Sequence, residues 1–404
     1  MKSYTEIHKI KIFMYVQAVV GYQLFFGSIM TLFYLKYSKV SFSEYLTIES
    51  ILAVSIALFE IPSGWIADRF GRKNMFLLAI VGGIICNTIL IYQSSYIVLI
   101  INNIILGFFT AMSSGTDESL YYDYFSLKNQ IKEFKQTYSK TQSISFIATM
   151  IATFSIGFLF DYSMISPLII DNAIMFSMLL MGLFALPNER CISNLKTNIN
   201  SKLKELCSFS LIKNAMPFFI ITALIFSSLR TAYSLYQPII LDIGIDLKYI
   251  GIVLAVFNII SSVVSYLAPS IFKNLKNEKI ILFLFVFSIG VGFIGVGIFQ
   301  NYLVLIFLVV QQMVRGLLPL LAMKRNYYIP SNCENRTTML SIGNLLNTLS
   351  IAIMLFLQSI CIRYLAAFNT MEVTGILTVI LMLIAILYFI VKKDKGDIIC
   401  YQED

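Results

Sequence analysis

The stretch Ile61 to Asn74, IPSGWIADRFGRKN, sets Asp68, Arg69, Arg72 and Lys73 within six residues of one another. Long apolar runs lie on either side of it. The whole chain has 404 residues, of which 58% are hydrophobic and only 13% charged, and its mean hydropathy is +0.80. Soluble domains carry about a quarter charged residues. A soluble fold cannot hide this much apolar surface, so lipid is the solvent implied, and the polar residues fall into short islands between spans.

Working outward from that stretch, twelve runs reach bilayer length, about 20 residues each. Six lie near 11–35, 45–63, 74–92, 97–123, 141–160 and 167–186. Six more lie near 214–240, 248–271, 280–299, 302–324, 337–361 and 369–391. The expected architecture is therefore an all-α membrane protein. An N-terminal six-helix half (1–186), a linker (187–213) and a C-terminal six-helix half with a short tail (214–404) make two pseudo-symmetric parts.

Orientation follows from the 30 Lys and Arg residues. With the N-terminus inside, 24 fall in inner segments and four (Lys36, Lys39, Lys248 and Arg363) in outer loops, while Arg230 and Arg315 fall within spans. That asymmetry places both termini and the linker in the cytoplasm of a multi-pass plasma-membrane protein. It also accounts for the net charge of +8 without nucleic acid, because the basic residues sit in loops and form no basic domain. The six cysteines show no pairing or metal-ligand spacing, and one histidine, His8, cannot build a metal cluster. No phosphate-cradling loop and no Ser/His/Asp pattern is present, so neither an enzyme nor a cofactor is expected.

On this topology the opening stretch is an inner loop between the second and third spans. Gly64, Asp68, Arg69, Gly71, Arg72 and Lys73 resemble the G-x-x-x-D-R-x-G-R-[KR] loop of the major facilitator superfamily. FEIPSG before it, SGTDESLYYD in the fourth span and YIPSNCENRTTMLS before the eleventh are similar to drug-efflux-like bacterial members. The resemblance implies a monomeric secondary transporter working by alternating access. Such a protein would export a drug-like or amphipathic small molecule by antiport, in the manner that confers antibiotic resistance. It further implies a cytoplasmic gate, with Asp68 facing the start of the eleventh span near Thr337 and Arg72 paired with Asp123. The equivalent loop of the second half, SIFKNLKNEK, lacks the pattern. Asn103 stands where such proteins often carry an arginine four residues before a glycine, here Gly107, and the fifth span has no Gly-Pro motif; both departures weigh against proton-coupled antiport.

Ionisable groups inside a span are functional candidates because the bilayer makes them costly. Glu60, Asp117, Glu118 and Arg315 are the candidates for proton coupling or cavity charge. Glu118 falls about 20° from the helical face of Gly107, and Asp117 about 80° away on the other side, at 100° per residue. Polar residues at helical spacing give a candidate substrate lining: Gln17 and Gly21 in the first span, Asn103 in the fourth, Arg230, Tyr233 and Gln237 in the seventh, Asn258 and Ser261 in the eighth, Gln311 in the tenth, and Asn344 and Asn347 in the eleventh. Helix–helix hydrogen bonding produces the same stripes. Two alternatives to efflux follow: uptake of a small anionic nutrient drawn by Arg230 and Arg315, and a membrane receptor or assembly partner that transports nothing.

Overall fold

Phe70 closes one helix and Arg72 opens the next, with Gly71 alone between them. In the computed structural model Gly71 has φ +92° and ψ 138°, a conformation that a side chain would strain. The charged stretch is thus not a loop between spans. IPSGWIADRF forms the last turns of a 29-residue helix, and a single glycine makes the turn. Of the two motif glycines only Gly71 turns the chain; Gly64 lies within the helix.

The structure describes residues 2–20, 23–93, 95–113, 120, 121, 124, 125, 128, 130–186, 209–272, 278–326, 328 and 336–394; the side chains of some helical residues, Gly64, Asp68 and Arg69 among them, fall outside this description. Its helices are α1 (Lys2–Val20), α2 (Phe42–Phe70), α3 (Arg72–Tyr92), α4 (Tyr96–Ser113), α5 (Ile131–Tyr162), α6 (Ser166–Ala185), α7 (Phe209–Asp242), α8 (Ile250–Phe272), α9 (Glu278–Ile298), α10 (Val304–Gly316), α11 (Leu318–Asn326), α12 (Arg336–Cys361) and α13 (Ala367–Asp394). Among the described residues there is no strand.

Among the described residues, ten helical stretches are long and apolar enough to cross a membrane. The two expected spans that do not qualify have local reasons. The apolar part of α5 is Ile147–Tyr162 only, because its first half is rich in Lys, Glu, Gln and Ser. The expected first span, 11–35, is not one helix. Its described helix runs to Val20, and from Gln23 on come turn residues, a 3₁₀ turn (Phe26–Ser28), three α-helical residues (Met30–Leu32) and a π turn (Phe33–Tyr37). Gln23, at φ +53°, lies in the interruption.

The chain divides into two compact units. Unit 1 is Met1–Thr197 with Asp246–Ala255, and unit 2 is Asn198–Ile245 with Val256–Asp404. In unit 1, α2 packs on α4, α3 on α4 and α6, and α1 on α5 and α6. Lipid tails are as apolar as these side chains, so close fit rather than water expulsion holds such helices together. Gly107 shows it: a methyl group there would sit 2.5 Å from Ser55 Cβ and 3.2 Å from the Ile56 nitrogen, so only glycine lets α4 approach α2. Phe13 and Phe76 meet edge to face at 6.1 Å in a buried cluster that includes Ile80, Met175 and Met178. In unit 2, α7 packs on α11, α12 and α13, and α9 on α10 and α13.

Candidate functional site

Arg315 sits in the last turn of α10 and is exposed. Its Nη1 donates to Asn258 Oδ1 and to Gln312 Oε1, each at 3.2 Å, and its guanidinium lies 5.8 Å from the centre of the Tyr233 ring. These partners are neutral. Nη2 and Nε have no hydrogen-bond partner among the described residues. A planar fork with one edge held and the other open is suited to a carboxylate or phosphate. Arg230, one turn before Tyr233 on α7, is also exposed, and both arginines act electrostatically on the Tyr233 hydroxyl. Unit 2 therefore presents two cationic groups flanking one aromatic ring.

A buried polar network fixes that face from behind. Gln312 is 1% exposed and donates through Nε2 to the Tyr236 hydroxyl at 2.9 Å. Tyr236 donates in turn to Gln311 Oε1 at 2.8 Å, and Gln311 Nε2 donates to the Gly292 carbonyl at 3.0 Å. Ser261 Oγ donates to the Gln312 carbonyl at 2.9 Å and to its Oε1 at 3.2 Å. The Gln312 side-chain oxygen thus receives Ser261 and Arg315 together, which sets the Arg315 rotamer. Gln312 does not figure among the expected site residues, whereas Asn258 and Ser261 form the expected polar stripe on α8 and meet Arg315 and Gln312.

The other expected residues scatter. Gln311 is fully buried, and Gln237 is 1% exposed. Asn344 is exposed and Asn347 half-buried on α12. Gln17 accepts a hydrogen bond from Tyr121 OH. Asn103 is buried and donates to Tyr34 OH at 3.0 Å and to the Leu99 carbonyl at 2.9 Å, so its amide ties α4 to the part of the first span that follows the interruption. Glu60 is half-buried, and its carboxylate has no hydrogen bond or ion pair among the described residues. Gly21, Asp117, Glu118 and Asp123 lie outside the described residues, as do the side chains of Gly64, Asp68 and Arg69. The expected docking of Asp68 near Thr337 and the pairing of Arg72 with Asp123 fall there too.

Arg72 is half-buried at the start of α3. Lys73 donates from Nζ to the carbonyls of Leu183 (3.2 Å) and Leu186 (2.7 Å), at the C-terminus of α6. A cation there satisfies orphan carbonyls and faces the negative end of the helix dipole. Asp171 and Glu49 meet the same criterion as Glu60 and Arg315, an ionisable group inside an apolar span, and belong with them. Asp171 is 1% exposed in α6 and Glu49 3% exposed in α2.

Helices long and apolar enough to cross a membrane, arranged in two compact units, make this a multi-pass membrane protein. The chain belongs to the Major Facilitator Superfamily, whose family model matches residues 12–355. No curated protein sequence matches it. Its fold is similar to the crystal structure of the nucleoside transporter NupG, with a TM-score of 0.75 at 14% identity, over 96% of this chain and 98% of that one. It is also similar to the POT family transporter PepTSo (0.70, 13% identity, 96% and 99%) and to a bacterial homolog of the human lysosomal transporter Spinster (0.71, 12% identity, 99% and 99%). At these identities the likeness is one of fold.

Proposed function

We propose that this chain is a secondary transporter that works by alternating access as a monomer in the plasma membrane, with cytoplasmic termini, and that it exports an amphipathic small molecule bearing a negatively charged group. The observation that carries this reading is the open guanidinium edge of Arg315 beside Tyr233 and Arg230. An anionic group would take the open edge, and an apolar or aromatic body would lie against the tyrosine. The outward direction follows from the resemblance of FEIPSG, SGTDESLYYD and YIPSNCENRTTMLS to efflux-like members. The same two arginines equally favour a second reading, uptake of a small anionic nutrient. Purified protein in liposomes, challenged with anionic, neutral and cationic amphipaths on either side, separates these. Movement of anions that falls in Arg315→Ala supports the reading, and the side from which substrate is accepted sets the direction. Transport restricted to neutral or cationic compounds and indifferent to both arginines overturns it.

A further inference from the structure

Asp171 lies five residues into α6, buried inside unit 1. Its two carboxylate oxygens accept backbone hydrogen bonds from the interrupted first span: Phe25 N to Oδ1 at 3.1 Å and Phe26 N to Oδ2 at 2.8 Å. The amide of Leu24 points at the same group. In an unbroken α-helix the Phe25 and Phe26 amides would bond to the carbonyls of residues 21 and 22. Inside a membrane a backbone amide without a partner costs several kcal/mol, so an interruption persists only where something else accepts those hydrogens. Asp171 is that acceptor. The segment is further held by Gln23 Nε2 donating to Asn87 Oδ1 at 3.1 Å and by Ser28 Oγ against Thr153 Oγ1 at 3.1 Å.

We propose that Asp171 is a proton-binding site and that its charge controls the break in the first span. As a carboxylate it accepts two or three amides at once and holds the chain unwound. When it takes a proton from the aqueous phase, its negative charge disappears and one of its oxygens becomes a donor. The amides then bond more strongly to helix carbonyls, and the first span closes towards a continuous helix. Release of the proton reverses the step.

The surroundings leave this charge unopposed. α6 packs against α1, α3, α5 and the Phe26–Ser28 turn. At the Asp171 end of these elements the ionisable residues are Tyr15 of α1, Cys86 and Tyr92 of α3, Asp161 and Tyr162 of α5, and Tyr34, Lys36 and Tyr37 beyond the turn. Cys86 donates to the Asn102 carbonyl (3.8 Å), Tyr37 to the Ile91 carbonyl (2.5 Å), and Tyr34 receives Asn103. Tyr92, Asp161, Tyr162 and Lys36 are exposed. At the opposite end stand His8, Lys9 and Lys11, Arg72 and Lys73, Glu133 and Lys140, of which Lys11 pairs with Glu133 and Lys73 caps α6. No cation contacts Asp171 among the described residues. Gly27 is exposed, and a methyl group added to it would meet nothing within 4 Å, so the turn that carries these amides is not packed against a neighbour on that side.

The test is pH-difference infrared spectroscopy of the purified full chain in lipid, without substrate, on wild type, Asp171→Asn and Asp171→Glu. The wild type should show a buried carboxylic-acid C=O band that appears as pH falls together with an amide change of the same midpoint. Asp171→Asn should lose both, and Asp171→Glu should keep both with the band and midpoint displaced. If Asp171→Asn does not fold, the displacement in Asp171→Glu decides alone. A band unaltered in both variants, or a band lost without any accompanying amide change, overturns the proposal. Because substrate is absent, the outcome is independent of what the protein carries and in which direction.

Discussion

The Arg315 guanidinium lies 5.8 Å from the centre of the Tyr233 ring and is held there by Gln312, whose own amide is anchored on Tyr236. The charge is thus positioned by neutral groups and keeps an open edge. Arg315→Ala should weaken handling of an anionic substrate by about 10- to 100-fold in KM, the equivalent of about 1.5–3 kcal/mol for a charge-assisted hydrogen bond. Arg315→Lys should recover only part, because an ammonium cannot grip two oxygens in one plane. Thermal stability should change little, since the side chain is exposed. An unaltered KM in Arg315→Ala would remove the anion subsite.

The support behind that charge should behave as a unit. Tyr236→Phe leaves Gln311 Oε1 and Gln312 Nε2 without their hydroxyl partner in a fully buried place, at a cost of about 1–3 kcal/mol. Combined with Gln312→Ala, the loss should fall short of the sum of the single losses by at least about 0.5 kcal/mol. Thermal or chemical unfolding in detergent of the two single variants and the double measures this. Strict additivity would mean that the two side chains act separately.

Gly71 and Gly27 should respond oppositely to a methyl group. Gly71→Ala forces a side chain into φ +92° in a one-residue turn between α2 and α3, which costs on the order of 1–3 kcal/mol. Gly27→Ala meets open space, and no loss of thermal stability is expected. Equal melting temperatures for Gly71→Ala and wild type would contradict the turn geometry.

Lys73→Met removes the cation at the C-terminus of α6 and should lower stability by about 0.3–1 kcal/mol, with Lys73→Arg near wild type. The difference between Lys73→Met and wild type should shrink at high salt, as dipole and charge are screened. A salt-independent difference would assign the effect to packing of the lysine stem instead.

Much of this could be read from residues alone. Bilayer thickness dictates span length, so ten of the twelve runs that hydropathy marks are helices long and apolar enough to cross, and a charged residue stands out in such a run whatever it touches. Arg315 was legible for that reason. Other features depend on partners distant in the chain. Gln311 and Asn103 have the spacing of a substrate lining, but they lie buried and bonded to Tyr236, Gly292, Tyr34 and Leu99. A polar stripe looks the same in sequence whether it meets a ligand or another helix.

The interruption of the first span is the clearest case. Residues 11–35 are apolar enough for a continuous helix, and nothing within them demands a break. The acceptor that makes the break tolerable is Asp171, some 145 residues later, and only packing of α6 against that segment brings the two together. The sequence by itself determined which segments enter the lipid, because transfer to lipid is a property of each segment alone. Tertiary structure decided where a helix could stop inside it, because an unpaired amide must be satisfied by whichever neighbour the fold supplies.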